Sequence, residues 1–505
     1  MIALSSSILH WARSNPERIA LTYGEDRITY AQLAERTCAA AGALRAQGIG
    51  AGDMVALLMK NSAAFVELTL AISHLGAVLL PINYRLGKDE VDYILTHAGA
   101  KLVCVDEELT DNLPDNAARI VLSREQQGDT RQLDRHAEPV ETAHPATSSD
   151  MFRLMYTSGT TDRPKGVIHS YDNFYWKTLD HICELGLTAQ DRLLVVGPLY
   201  HVGAFDLPGF AVFLTGGSMH VMRDFDAEQV LVAIEQQRVT GAWLPPVMLN
   251  RLLALKNRGD YDMSTVRWVI GGGERTPVER IVSFSTLFRH GRYIDAYGLT
   301  ETCSGDTMMQ AGQEHRKIGS AGRPLAHVQV EIRDAHGDRL PAGETGEICL
   351  SGPKVTPGYW NDPGRTRASF FDQWFRTGDM GYLDDDGFLF LVDRKKDMVI
   401  SGGENVASSE VERVIYSLDK VEDAAVVGLP DEQWGERVVA VVVLREGETL
   451  TLAELQAHCR NKIGGFKIPK QLFVVDMLPR TASGKVLKRD LREQLVHQAP
   501  DVGKH

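Results

Sequence analysis

A chain of 505 residues exceeds what one ordinary hydrophobic core supports, so at least two domains are expected, one of them large. The formal net charge of -13 is spread over many acids without a basic block, which argues against nucleic acid or an anionic membrane surface as partner. Cys38, Cys104, Cys183, Cys303, Cys349 and Cys459 are scattered and form no CxxC pair, which excludes the spacing of a zinc site or disulfide staple and reads as reduced, mostly buried thiols.

In chain order, MIALSSSILHWARSNPERIA lacks a basic flank, a long apolar run and a small-residue cleavage pattern. It reads as an amphipathic helix capped by Ser5 to Ser7 rather than a targeting signal. The first half then alternates apolar β-branched runs with helical periods: MVALLMKN as strand, SAAFVELTLAISHLG as helix, AKLVCVDE as strand. Such alternation predicts parallel sheets covered by helices. The stretch ELTLAISHLGAVLLPI carries Glu67 and His74 and ends at Pro81, too short and too polar to span a bilayer. REQQGDTRQLDRHAEPVETAHPATSSD reads as loop or weak helix outside the core, and RLMYTSGTT resumes as a strand tail running into a turn. DRLLVVGPLYHVGAF, GGSMHVMRDF, VTGAWLPPVMLNRLLAL and VRWVIGGGE each mark a further strand, and loops at the carboxyl ends of such strands are the expected ligand sites. Beyond GRYIDAYGLTET the runs VQVEIRD, GEICLSG and GFLFLVDRKKDMVI are short, joined by Gly and Asp turns, and predict an antiparallel subdomain. The last hundred residues return to a smaller α/β pattern, with a boundary near Asp393 to Lys396.

YTSGTTDRPKG, residues 156 to 166, can turn backbone N–H groups and hydroxyls toward phosphate. It is not a Walker A loop: counted from Gly159, Pro164 stands where the second glycine belongs, and Gly166 rather than Ser or Thr follows Lys165. Taken alone it could be a surface turn. Its company is GGGE (Gly271 to Glu274), YGLTE (Tyr297 to Glu301), WFRTGD (Trp374 to Asp379), DRKKD (Asp393 to Asp397), SGGENV (Ser401 to Val406) and PRTASGK ending at Lys485. In order and wording these stretches resemble the motifs of the adenylate-forming superfamily, acyl-CoA synthetases in particular, over nearly the whole chain.

That resemblance implies an α/β fold: a large N-terminal region of α/β subdomains plus a β-rich subdomain, followed by a small mobile α+β C-terminal domain. The implied division is an adenylation domain over 1–393, a hinge over 394–396 with Lys396 at its pivot, and a mobile catalytic domain over 397–505. It implies activation of a carboxylate by ATP with release of pyrophosphate, then acyl transfer from AMP to CoA, with Mg2+ assisting the phosphate chemistry. Thr157, Ser158, Gly159, Thr160, Thr161 and Lys165 would line the triphosphate loop, and Thr300 and Glu301 would hold phosphate and magnesium. Gly271, Gly272, Gly273 and Glu274 would border the adenine, with Tyr297 stacking on it or packing in the core, and Gly298 allowing the next turn. Asp379 would accept from the ribose hydroxyls and Arg394 would reinforce the ribose or phosphate side.

Lys485 is the sharpest catalytic candidate, an ammonium approaching the carboxylate and α-phosphate as the adenylate forms. Ser401, Gly402, Gly403 and Glu404 resemble the segment that borders the pantetheine tunnel in the second half-reaction; the plainer reading is a static strand-turn-helix unit with Ser408 or Ser409 as cap. His201 matches a histidine at the mouth of the acyl pocket, and no GxSxG elbow supports a hydrolase. Trp243, Pro245 and Pro246 either define that pocket or pack beside it, and Asp206 turns either inward or outward. Asp162, where many resembling enzymes have glycine, is expected to face solvent or pair with Arg163 or another base.

The expected function is an AMP-forming acyl-CoA ligase acting on a medium or long fatty acid or an aryl acid. Alternatives are a ligase that loads a separate acyl-carrier protein, and a noncatalytic nucleotide or acyl-adenylate sensor. The expected setting is cytoplasmic, without stable membrane insertion, and compatible with a homodimer.

Overall fold

The computed structural model describes residues 2–123, 130–133, 136–157, 163–272, 278–394, 397–401, 404–431, 434–460, 462–480 and 486–498. The chain divides into two compact units, Met1–Val330 with Leu350–Phe375 and Asp386–Leu389, and Glu331–Cys349 with Arg376–Asp385 and Phe390–His505. The α/β class with a smaller α+β C-terminal part is the observed one.

The first unit is built on two sheets. One has six strands in the order Arg119–Leu122, Leu102–Asp106, Met54–Leu58, Val78–Pro81, Met151–Thr157 and Lys165–Ser170, all parallel except the last pair. The other has seven, in the order Arg292–Ile294, Trp268–Ile270, Gly241–Trp243, Arg192–Val195, Ser218–Val221, Ile19–Tyr23 and Asp26–Thr29, parallel but for the last pair. Parallel strands need crossover connections, so the carboxyl ends of four neighbours, at Val195, Trp243, Ile270 and Ile294, emerge on one edge. Each is followed by a stretch singled out above for ligand chemistry.

Local chemistry explains the elements and corrects three expectations. Helix Ala63–His74 begins at Ser62, whose hydroxyl accepts from Phe65 N–H, and it is buried on every side, which accounts for its nearly unbroken apolar sequence. Glu67, its polar interruption, is tied down by Arg36 (3.0 Å) and by the hydroxyl of Thr130 (2.5 Å). The polar stretch after residue 123 is not outside the core, since Thr130, Leu133 and Ala143, among its described residues, are buried.

The N-terminal helix Ser5–Ser14 is not capped by its serines. Leu4 holds the cap position, its N–H donates to Ser73 Oγ, and Ser5 is buried against His74 instead. Neither Ser408 nor Ser409 caps helix Ser408–Tyr416. The capping oxygen belongs to Asp393, which accepts from Ser408 Oγ (2.6 Å) and Ser409 N–H (3.3 Å); a carboxylate is favoured there because it also meets the positive end of the helix dipole.

The second unit contains most of the residues of the short strands Gln329–Arg333, Gly346–Ser351, Trp374–Leu383 and Leu389–Arg394. Its C-terminal part is a sheet in the order Glu404–Val406, Val399–Ser401, Gly435–Leu444 and Val421–Asp431, with Gln471–Val474 running parallel to Gly435–Leu444. Strict alternation sends Ala424, Val426, Val438 and Ala440 to one core with Val411 and Leu455. Ala425, Val427, Val439 and Val441 go to another, with Leu491 and Leu495. Both faces are therefore covered, which is why these strands read as continuous apolar runs. All six thiols are free, and only Cys183 is exposed. Among the described residues no helix is long and apolar enough to cross a membrane.

Candidate active site

Thr157 and Lys165 stand opposite each other in an antiparallel register, the last pair before the connecting loop. The loop residues Ser158, Gly159, Thr160, Thr161 and Asp162 lie outside the described residues, as do Gly273, Glu274, Lys395, Lys396, Gly402, Gly403 and Lys485. The Thr157 hydroxyl is buried and has no partner among the described residues. A buried orphan hydroxyl is costly unless something else meets it, so its place beside a hydroxyl-rich loop suits an incoming oxygen or N–H.

Lys165 does not point into solvent. Its ammonium donates to Glu301 Oε1 (2.7 Å) and to the Tyr359 hydroxyl (2.7 Å), and it sits 4.3 Å from the centroid of the Tyr359 ring. The Tyr359 hydroxyl in turn donates to Glu301 Oε1 (2.9 Å). Burial alone would raise the Glu301 pKa, but the Lys165 charge and the two hydrogen bonds outweigh it and hold the carboxyl below its ordinary value. The group is therefore an ionised carboxylate held ready beside a cation. Tyr359 was not singled out from the sequence. Its GYW setting at 358–360 offered an aromatic in a Pro/Gly-flanked turn, but nothing local tied it to residues 58 and 194 positions away.

Thr300 opens the short 3-10 turn that carries Glu301. Its carbonyl accepts from His169 Nε2 (2.6 Å), whose Nδ1 accepts from Arg153 Nε (3.0 Å), so His169 is neutral with its proton on Nε2. Burial first, then the Arg153 charge, pushes its pKa down to about 3. Arg153 also donates to Asp206 Oδ2 (2.7 Å), and Lys177 lies 3.0 Å from Asp206 Oδ1. Of the two orientations open to Asp206, the inward one is taken: all three side chains are fully buried. Below the turn, Lys354 pairs with Asp306 (3.1 Å) and donates to the carbonyls of Ser304 and Gly305. The Thr300–Asp306 segment thus rests on a desolvated lattice of charges, which resists displacement because each ion would lose its counter-ion.

Gly271 and Gly272 follow strand Trp268–Ile270, and Gly271 N–H donates to Ile294 O (2.9 Å). A methyl on Gly271 would lie 2.5 Å from Tyr293 Cζ, and Gly272 (φ 142°) has the Ala296 carbonyl where its Cβ would be. Their bareness is required by the protein's own packing. Tyr297 is buried and paired with Thr307, and Gly298 lies too close to the Ser304–Gly305 backbone to carry a side chain.

His201 caps the helix Val202–Asp206, its Nδ1 accepting from Gly203 N–H (3.0 Å). The remaining Nε2–H is then a donor. The imidazole lies nearly parallel to the Trp243 indole, 11° apart with centroids 6.0 Å from each other.

In the second unit Asp379 is buried and pairs with Arg394, Nε to Oδ1 at 3.0 Å. Asp379 N–H donates to Thr377 Oγ1. Ser401 pairs in register with Glu404 across the two intervening residues; Ser401 is buried and Glu404 exposed.

The described residues contain no group of three or more His, Cys, Asp or Glu side chains able to hold a metal. Glu301 as a single ionised carboxylate fits magnesium, which commonly takes one or two carboxylates and completes its shell with water and substrate phosphate.

Residues 8–360 match the family model for the AMP-binding enzyme and residues 410–485 that for the AMP-binding enzyme C-terminal domain. Feruloyl-CoA synthase of Amycolatopsis is 37% identical over 96% of this chain and 97% of its own length. A long-chain-fatty-acid–CoA ligase of Mycobacterium tuberculosis is 35% identical over 94% of each chain. The structure of o-succinylbenzoate CoA synthetase from Bacillus subtilis in complex with the acyl-adenylate intermediate superposes with a TM-score of 0.88 at 32% identity, covering 96% of this chain and 97% of that one. That enzyme is also known in complex with ATP and magnesium ion. With both models matched over most of its length, the chain belongs to the AMP-binding enzymes, the adenylate-forming superfamily that includes the acyl-CoA synthetases, and is an AMP-forming ligase.

Proposed function

We propose that this ligase joins an apolar carboxylic acid to CoA: an acyl-adenylate forms with release of pyrophosphate, then a thioester with release of AMP. The observation that carries the reading is the Lys165–Tyr359–Glu301 cluster at the mouth of the 158–164 loop, a cation and a carboxylate held by one phenol beside the orphan hydroxyl of Thr157.

Two anions must meet in the first step, so positive charge and hydrogen-bond donors have to offset their repulsion. Lys165 supplies one such charge, and the described partners keep its ammonium from wandering. Magnesium, when bound, would neutralise phosphate charge, with Glu301 as its protein ligand. His201 Nε2–H is a donor suited to orienting the acid's carboxylate. Asp379 and Arg394 are proposed for the ribose and phosphate side. Lys485 is proposed for the adenylation step, and Ser401 to Glu404 for the CoA step. Residues 1–393, 394–396 and 397–505 are the proposed adenylation domain, hinge and mobile domain. The relatives are enzymes for feruloyl, succinylbenzoyl and long-chain acyl groups, which supports an aryl or fatty acid as substrate.

Pyrophosphate release that requires both ATP and an acid, followed by acyl-CoA on adding CoA, is the expected result with the purified protein. Lys485→Ala should suppress pyrophosphate release far more than thioester formation from supplied acyl-adenylate. Equal loss in both half-reactions would refute that role.

A further inference from the structure

Beside His201 the first unit spends one large side chain on filling space that three small ones leave open. Strand Gly241–Trp243 ends at Trp243, and the backbone there is clamped: Trp243 pairs in register with Ile270, and Leu244 N–H donates to Ile270 O (3.0 Å). The six-membered ring of the indole lies across two glycines from a different segment. A methyl on Gly197 would stand 2.8 Å from Trp243 Cε3, and one on Gly203 would stand 2.6 Å from Cε2. Carbon atoms do not approach so closely, so neither position can carry any side chain while the indole stays where it is. Ala204 adds a third small residue, 3.5 Å from where the Gly197 methyl would be. The indole itself helps line a small apolar cavity, together with Leu194, Val196, Ala204, Leu207 and Ala242.

We propose that Trp243 sets the size limit of the acyl pocket, so that the preferred acid is compact, an aryl or medium-chain acid, and long alkyl chains are turned away. This rests on the acyl-CoA ligase reading with the carboxylate at His201. The near-parallel imidazole and indole then put the acid's polar end and its stopping wall on adjacent rings. An alkyl chain running past His201 would meet the flat indole, which is itself part of the wall of that apolar cavity. The indole cannot retreat, because its edge already rests on backbone at Gly197 and Gly203. Shortening the side chain would join the space it vacates to the cavity lined by Leu194, Val196 and Leu207, a continuous apolar slot.

The test compares kcat/KM for cinnamic, hexanoic, decanoic and palmitic acids in wild type, Trp243→Ala and Trp243→Leu, read as pyrophosphate release. Melting temperature and AMP binding serve as folding controls, and the leucine variant serves if alanine does not fold. The wild type should favour cinnamic, hexanoic or decanoic acid over palmitic acid. Either variant should shift the palmitic-to-hexanoic ratio of kcat/KM upward by about tenfold or more, since a single accommodated methylene is worth roughly 10- to 200-fold. A wild type that prefers palmitic acid, or folded variants whose order of preference is unchanged, would overturn the role of Trp243 while leaving the ligase reading intact. No pyrophosphate with any acid in the wild type would instead overturn the ligase reading, and this one with it.

Discussion

Asp206→Asn tests the charge lattice beneath the site with minimal change of shape. The carboxylate faces Arg153 Nη2 at 2.7 Å and Lys177 Nζ at 3.0 Å, with all three side chains out of contact with water. At an effective dielectric of about 20, each attraction is roughly 6 kcal/mol, set against the desolvation of the ions. Burial would raise the Asp206 pKa, yet the two cations more than offset it and the pKa is lowered, so the group is a carboxylate in the folded state. Removing its charge leaves two buried cations without a counter-ion, and breaking a buried pair in this way costs about 3–5 kcal/mol. Equilibrium urea unfolding followed by tryptophan fluorescence should show a loss in that range, a large part of the total stability of a domain. Adding Lys177→Met to Asp206→Asn removes one orphan cation and should recover part of the loss. A single variant within about 1 kcal/mol of wild type would refute the view that these ions hold one another, as would a double variant less stable than the single.

Two further outcomes follow from the same region. The neutral His169 has a folded pKa near 3, below its unfolded value of about 6.5. Its contribution is therefore present above pH 6.5 and is lost as pH falls from there toward 3, at up to roughly 1.4 kcal/mol per pH unit. His169→Gln, which can still accept from Arg153 and donate to Thr300 O, should flatten stability against pH over this window; an unchanged slope measured by urea titration would contradict the assignment. Tyr359→Phe removes the hydroxyl shared by Lys165 and Glu301. Hydrogen bonds to charged groups are worth about 1.5–3 kcal/mol, so stability should fall by an amount of that order, and kcat/KM for ATP measured on the folded variant should fall by about tenfold or more. Unaltered ATP kinetics would show that the phenol is packing and nothing else.

The apolar runs of the sequence were sufficient for the α/β plan, because their lengths and the turn residues that bound them separate strand from helix even where no single face is polar. Helix Ala63–His74 and the paired strands Val421–Asp431 and Gly435–Leu444 were legible in this way. The motif stretches were legible by their wording and not by a common local structure: WFRTGD, for one, lies within the strand Trp374–Leu383. Caps were less so: three serines in a row at Ser5 suggested an N-cap, but a cap oxygen can come from anywhere in space, and for helix Ser408–Tyr416 it comes from Asp393. What only the tertiary structure decided are the partnerships of distant side chains. Asp206 could have faced either way until two cations from elsewhere were placed against it. Tyr359 became part of the Lys165–Glu301 pair only through strand neighbours, and the Trp243 indole has its place only because Gly197 and Gly203, from another segment, leave it room. A desolvated charge or a bare backbone is tolerated according to what fills the space beside it, and that neighbour is set by sheet order and register, not by local sequence.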